Sequence, residues 1–206
     1  GYRDLHKMVG VLLAERVPAE AHVLVLGAGG GQELHAIAGM YPDWRFEGVD
    51  PSPEMLSVAR EVLAFASDRI HLHQGYIDTA PEGPYDAATC LLTLHFLQRE
   101  ERLETIRAVQ KRLRPGAPFI VAHHSFPSVD GARERWLDRN AAYAVASGIP
   151  VAQAGRSKQS IKDLLPVLAP DEDVALLQQA GFTDVELFYA ALTFKGWVAR
   201  KPFGNS

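Results

Sequence analysis

The chain is short of cysteine, of one-sided charge and of long apolar runs; the first and last remove a class of protein, and the second weighs against nucleic acid without excluding it. One cysteine, Cys90, among 206 residues excludes a disulfide framework and any paired-cysteine metal site. The 21 basic side chains fall below the 25 acidic ones, a net charge of −4, so the chain carries no electrostatic footprint for nucleic acid. No apolar stretch approaches the roughly 20 residues that a bilayer requires, and no basic, apolar, small-residue signal opens the chain. No HxxxH or histidine–carboxylate spacing supports a metal site, and none is expected. A soluble, cytoplasmic protein without membrane contact is the expectation. What remains is 47% hydrophobic and 22% charged, ordinary globular composition at one-domain length.

Strand-like and helix-like segments alternate, the pattern of a parallel sheet with helices on both faces. HVLVL (22–26) is a short apolar strand, followed by helical text over 32–41. A second strand, 45–49, ends at Asp50; Ser52 then suits an N-cap and Pro53 the first helical position, with Met55, Leu56, Ala59, Val62 and Leu63 spaced for one helix face. IHLHQ (70–74) alternates like a half-buried strand, and 85–94 reads as a central strand covered on both faces. Helix is expected over 98–113, stopped by Pro115-Gly116, then a strand over 117–122. Helical patterns over 131–147, 157–168 and 171–180 precede two runs, 184–190 and 193–199, close enough to pair antiparallel. With no repeat, linker or low-complexity tract, residues 1–206 read as one domain. The fold expected is α/β: a Rossmann-like, seven-stranded, mostly parallel sheet ending in an antiparallel pair.

The most informative segment is VLVLGAGGGQE (23–33), where a strand runs into Gly27, Gly29 and Gly31 before a helix begins. Glycines belong where the backbone turns sharply and a ligand must approach without a Cβ in the way. In an open α/β sheet, that spot lies at the carboxyl end of the first strand, where ligands bind. A dinucleotide fingerprint wants a further glycine at position 32, where Gln32 stands, so a nucleotide-dependent oxidoreductase is disfavoured. GxGxG suits a nucleoside ligand without a pyrophosphate. Asp50, 23 residues beyond Gly27, ends the next strand near the spacing at which a carboxylate accepts ribose hydroxyls. The bland reading is a glycine turn beside a helix-capping aspartate.

VLGAGGG, FEGVDPSPEML, YDAATCLLTLHFL, LRPGAPFIVA and AGFTDVELFY together resemble the class I S-adenosylmethionine (SAM)-dependent methyltransferases across nearly the whole chain. The resemblance implies a seven-stranded fold and SAM as cofactor. It also implies a site built from Gly27, Ala28, Gly29, Asp50, Pro51, Met55, Tyr76, Ile77 and Leu91, with Asp50 on the ribose and Gly27 and Gly29 by the methionine portion. The opening GYRDLHKMVGVLLAE, TLHFLQREERLETI and the ending are similar to the tRNA wobble-uridine carboxymethyltransferase branch and its carboxy-SAM synthase. In that branch Tyr2 would lie against the cofactor. The synthase also needs an arginine shortly before the AGF segment, and alignment through Ala180-Gly181-Phe182 puts Leu176 there, which favours an ordinary methyl donor. Two family carboxylates are missing: Val25 stands where one orders the loop and the cofactor's amino group, and Tyr76 where one meets the adenine. Their loss keeps a second reading open, a SAM-binding relative that has lost catalysis.

Methyl transfer needs in-line approach, and a general base when the acceptor is a hydroxyl. Candidate bases are His95, after the fourth strand, and His123 or His124, after the fifth. Adjacent His123 and His124 would point to opposite faces of an extended chain, so one at most faces the site. Each has a bland reading as a packing residue, and Cys90 reads as a small buried hydrophobe. The segment about 127–170 is expected to form a helical, lid-like insertion over a small-molecule or modified-nucleoside acceptor. Its Arg133, Arg135, Arg139, Arg156, Lys158 and Lys162 read as an anion grip or, with Glu134, Asp138 and Asp163 between them, as a solvated face. Trp136 and Tyr143, seven apart, suit core packing or a homodimer contact.

Overall fold

The computed structural model describes residues 4–129 and 131–204. One seven-stranded sheet runs in the order β3-β2-β1-β4-β5-β7-β6. Its strands are β1 (His22–Leu26), β2 (Arg45–Asp50), β3 (Ile70–Gln74), β4 (Ala87–Leu91), β5 (Pro118–His124), β6 (Thr183–Ala191) and β7 (Phe194–Arg200). β1 to β5 are mutually parallel, whereas β7 pairs antiparallel with both β5 and β6. The expected topology is therefore present, and it brings the carboxyl ends of β1, β2, β4 and β5 to one edge.

Successive strand residues face opposite sides, so β1 feeds two cores. Val23 and Val25 join Phe46, Leu34 and Ile37 under α1 (Leu5–Ala14), α2 (Gln32–Met40) and α3 (Pro53–Val62). Leu24 and Leu26 join Ala88, Cys90 and Phe119 under α4 (Arg99–Arg112) and α7 (Pro170–Gln179). Each buried phenylalanine or leucine here contributes roughly 1.5–3 kcal/mol through removal from water. Local chemistry sets several ends. The Ser52 hydroxyl accepts the Met55 N–H at 3.1 Å with Pro53 just inside α3, and Glu101 accepts the Gln98 N–H at 3.2 Å at the start of α4.

Four differences from the sequence reading have clear causes. Helix α1 was not foreseen; Leu5, Val9 and Leu13 form its buried stripe against the sheet. Strand β4 stops at Leu91 because Leu92 adopts φ 58°, and Leu94–Phe96 follows as a 3-10 turn. Strand β5 continues to His124 because β7 supplies a pairing partner for every residue, ending with His124 opposite Phe194. Both histidines thus lie within the strand instead of after it. Of the two insertion helices, α5 (Ala132–Ala146) matches its expected span, while α6 runs Val151–Leu164 rather than 157–168, bracketed by Pro150 and Pro166.

α5 and α6 share a small core of Phe126, Leu137, Ile161 and Val167, with Trp136 packed on it. Lys158 reaches both Glu134 (2.6 Å) and Asp138 (2.5 Å), and Lys162 reaches Glu134 at 3.1 Å, so these lysines are neutralised within the insertion. Trp136 lies under the Arg139 guanidinium at 4.8 Å and the Lys195 ammonium at 5.3 Å, whereas Tyr143 is exposed. Between β3 and β4 the chain forms only a 3-10 turn, Ile77–Thr79. On the sheet beside it, Glu47 takes contacts from His22 (3.1 Å), His71 (3.2 Å) and His73 (2.5 Å). Burial alone would raise the Glu47 carboxyl; the three imidazoles outweigh it and hold the group below the ordinary carboxylate range. Among the described residues no helix is long and apolar enough to cross a membrane, and no cluster of three or more histidine, cysteine or acidic side chains has metal-holding geometry.

Candidate functional site

The glycine loop joins β1 to α2 with Gly27, Gly29 and Gly31 all at positive φ, 80°, 50° and 82°. A Cβ on Gly27 would stand 1.9 Å from the Thr93 hydroxyl, so glycine there lets the β4 end close against the loop. A Cβ on Gly29 would meet only Met55 Cε at 3.7 Å and a loop carbonyl at 3.9 Å, leaving the backbone approachable. The Gly27 and Ala28 amides donate to the Val49 carbonyl at 2.8 and 3.0 Å, which ties the loop to β2. Asp50 completes the brace: Oδ2 accepts the Gly29 N–H at 2.8 Å and Oδ1 the Ser52 N–H at 2.9 Å. An ionised carboxylate offers about four acceptor directions, so Asp50 keeps capacity for two further donors.

Around this brace, Ala28 and Leu91 are buried, Pro51 is exposed and Met55 lies over the loop. The Tyr76 ring, beyond the end of β3, is exposed, with Ile77 half-buried beside it. Tyr2 lies outside the described residues. The open glycine backbone and a carboxylate with spare acceptor capacity, on neighbouring strand ends, fit a nucleoside cofactor carrying hydroxyls.

The histidines separate into two environments. His123 faces α4 and α7, where its Nε2 is 3.2 Å from Asp173 Oδ1, and Arg102 reaches the same oxygen at 2.6 Å. All three side chains are almost wholly buried, and Arg102 also donates to the Pro166 carbonyl at 3.0 Å. Burial would raise the Asp173 carboxyl, but His123 and Arg102 pull it below its ordinary value. This cluster clamps α4, β5, α7 and the segment leaving α6 together.

His95 and His124 sit instead at the ends of β4 and β5, with ring centroids 5.0 Å apart. His95 Nδ1 accepts the His124 backbone N–H at 3.2 Å, which leaves the ring proton on Nε2. The Thr193 hydroxyl donates to Asn140 of α5 at 3.1 Å, and so receives the Nδ1 proton of His124 at 3.0 Å. His124 therefore keeps a bare Nε2. Burial, then the other histidines, pushes His95 down to about 2 and His124 down to about 4. Both rings are neutral at pH 7, one presenting a donor and the other an acceptor.

Sequence reasoning passed over Glu33. An acidic residue in the first turn of a helix ordinarily reads as a surface group favoured by the helix dipole, yet Glu33 is 6% exposed and turned inward toward Thr89. No linear signal reveals that orientation.

Sheet order, terminal antiparallel pair, glycine loop and the acidic end of β2 together define a Rossmann-like α/β fold with an open ligand loop at its strand ends. Residues 24–119 match a family model described as a methyltransferase domain. The chain is 29% identical to a carboxy-S-adenosyl-L-methionine synthase from Chromohalobacter salexigens over 98% of its own length and 76% of that protein's. It superposes on human N-acetylserotonin methyltransferase in complex with SAM (TM-score 0.65, 17% identity), covering 97% of this chain and 53% of that one. An O-methyltransferase family 2 protein from Planctomyces limnophilus, complexed with apigenin, gives a TM-score of 0.66 at 19% identity, with 96% and 61% coverage. The chain thus spans little more than half the length of these two structures. What the chain shares with these proteins is the methyltransferase fold and, over residues 24–119, the sequence pattern of a methyltransferase domain.

Proposed function

We propose that the chain transfers a methyl group from SAM to a hydroxyl of a small-molecule acceptor, with His124 as the base. The observation that carries this reading is the paired His95 and His124, whose opposite hydrogen-bonding states sit at the adjacent ends of β4 and β5, just beyond the Thr93 that packs on Gly27. SAM supplies the electrophilic methyl when bound. Asp50 holds the ribose hydroxyls while its bonds to Gly29 and Ser52 keep the loop in place. Met55 and Leu91 bound the nucleoside, and Tyr76 and Ile77 border its base. Nε2 of His124 takes the acceptor's proton; His95, with its Nε2–H, orients the acceptor oxygen as a hydrogen-bond donor. α5 and α6 act as the lid over the acceptor, and Asn140 couples that lid to His124 through Thr193. His123 stays in the buried clamp and takes no part in the chemistry.

The similarity to a carboxy-SAM synthase favours a second reading, in which the group handled is carboxymethyl. Against it, Leu176 is fully buried in the apolar core beneath α7, so that position offers no charge to a carboxylate. The test is incubation with SAM and small hydroxylated aromatic acceptors, read by mass spectrometry. His124→Asn retains a donor at the Nδ1 position but removes Nε2, and should slow methyl transfer by about 10²–10⁴-fold with SAM affinity unchanged. An unchanged rate would refute the role of His124, and a carboxymethyl product would refute methyl transfer.

A further inference from the structure

Glu33 follows the glycine loop at the second position of α2, and its carboxyl is sealed against β4 beside Thr89. Thr89 is the register partner of Val25, two residues below Gly27, so the carboxyl lies under the inner side of the loop. Thr89 lies near enough to draw the carboxyl's value down, yet neither Glu33 Oε1 nor the Thr89 hydroxyl completes a well-formed hydrogen bond among the described residues, and no described ion pair includes the carboxyl. Val25 contributes no polar atom there. The nearby Cys90 thiol, pushed up by burial and then by Glu33 itself, stays neutral and offers no counter-charge. Buried polar groups in folded proteins are ordinarily satisfied, and an acceptor left open at the base of a ligand loop waits for a donor that arrives with the ligand.

We propose that Glu33 receives the α-ammonium group of the cofactor's amino-acid arm, and so selects nucleosides that carry that arm. The inference rests on the SAM reading and adds to it a binding residue outside the glycine loop and Asp50. An ammonium brings three N–H donors and a full charge, enough to satisfy the open carboxylate oxygen in a site where little water screens the attraction. The Thr89 hydroxyl can then donate to the second carboxylate oxygen, which removes both orphaned atoms at once. In the free chain, burial outweighs the pull of Thr89 and lifts the carboxyl to about 7, so a protonated fraction is present at neutral pH. An arriving ammonium stabilises the charged form and expels that proton.

The experiment compares S-adenosylhomocysteine with 5′-methylthioadenosine, the same nucleoside without the amino-acid arm, by titration calorimetry. Glu33→Gln should weaken S-adenosylhomocysteine binding by about 10-fold or more and leave methylthioadenosine unaffected. Wild-type binding of S-adenosylhomocysteine at pH 7 should release protons, seen as a heat that varies with the buffer's ionisation enthalpy. Methylthioadenosine should release none. Equal weakening of both ligands would show that Glu33 only shapes the loop, and unchanged S-adenosylhomocysteine affinity would show an idle carboxyl; either overturns the proposal. Should the variant fail to fold, Glu33→Asp, which keeps the carboxyl but draws it back from the loop, is compared with both ligands in its place. A wild-type chain that binds neither ligand would overturn the cofactor reading itself, and the proposal with it.

Discussion

Acidification from pH 7 to pH 5 offers a direct measure of how His95 and His124 are held. Both rings are buried, 4% and 7% exposed, and burial is the first cause of their depressed values, about 2 and about 4. His124, His123 and Arg102 push His95 further down, and Asp173 opposes them. The unfolded chain protonates each ring near 6.5 while the folded chain does not, so the unfolded state binds more protons across this window and stability falls with pH. For a ring that stays neutral in the fold, the loss between pH 7 and pH 5 is about 2 kcal/mol. The pair together would cost about 4 kcal/mol, a large share of the 5–15 kcal/mol typical of a folded domain. Urea denaturation at the two pH values, on the wild type and on a His95→Asn/His124→Asn double variant, isolates the effect. Asparagine can replace the Nδ1 contact of each ring without titrating, so the double variant should lose most of the pH dependence. Equal pH dependence in the two proteins would refute the assignment of these rings as neutral and water-excluded.

Two further substitutions test the framework. Asp50→Ala removes the acceptor of two backbone amides at 2.8 and 2.9 Å; SAM affinity should fall by about 10-fold or more, and the melting temperature should drop with it. Asp173→Asn leaves the Arg102 guanidinium fully buried without its counter-charge, and chemical denaturation should show a loss of about 3–5 kcal/mol.

The glycine loop and Asp50 were legible because both are matters of local chemistry. A sharp turn demands glycine, and an aspartate that ends the neighbouring strand can be read from its spacing to that turn. Ser52 and Pro53 announced the start of α3 for the same reason. α6 was misplaced because its apolar pattern is weak: most of that helix is exposed, and its bounds come from Pro150 and Pro166 rather than from a buried stripe. The histidines needed the structure. Spacing named His95, His123 and His124 alike, but only the pairing of β5 with β7 extends the strand to His124. That extension sends His123 into the Arg102–Asp173 cluster and His124 toward His95.

From sequence alone came the order of most strands and helices, the antiparallel ending, the glycine loop and its acidic companion. Each is written in periodicities and turn residues that act over a few positions. Tertiary structure alone decided which titratable groups are sealed from water and which partners each one has. Arg102 and Asp173 stand 71 residues apart and meet at 2.6 Å, and Glu33 on α2 gains its meaning from Thr89 on β4. Burial and pairing depend on what the rest of the chain brings alongside, and those two quantities set the charge and hydrogen-bonding state of every group at this site.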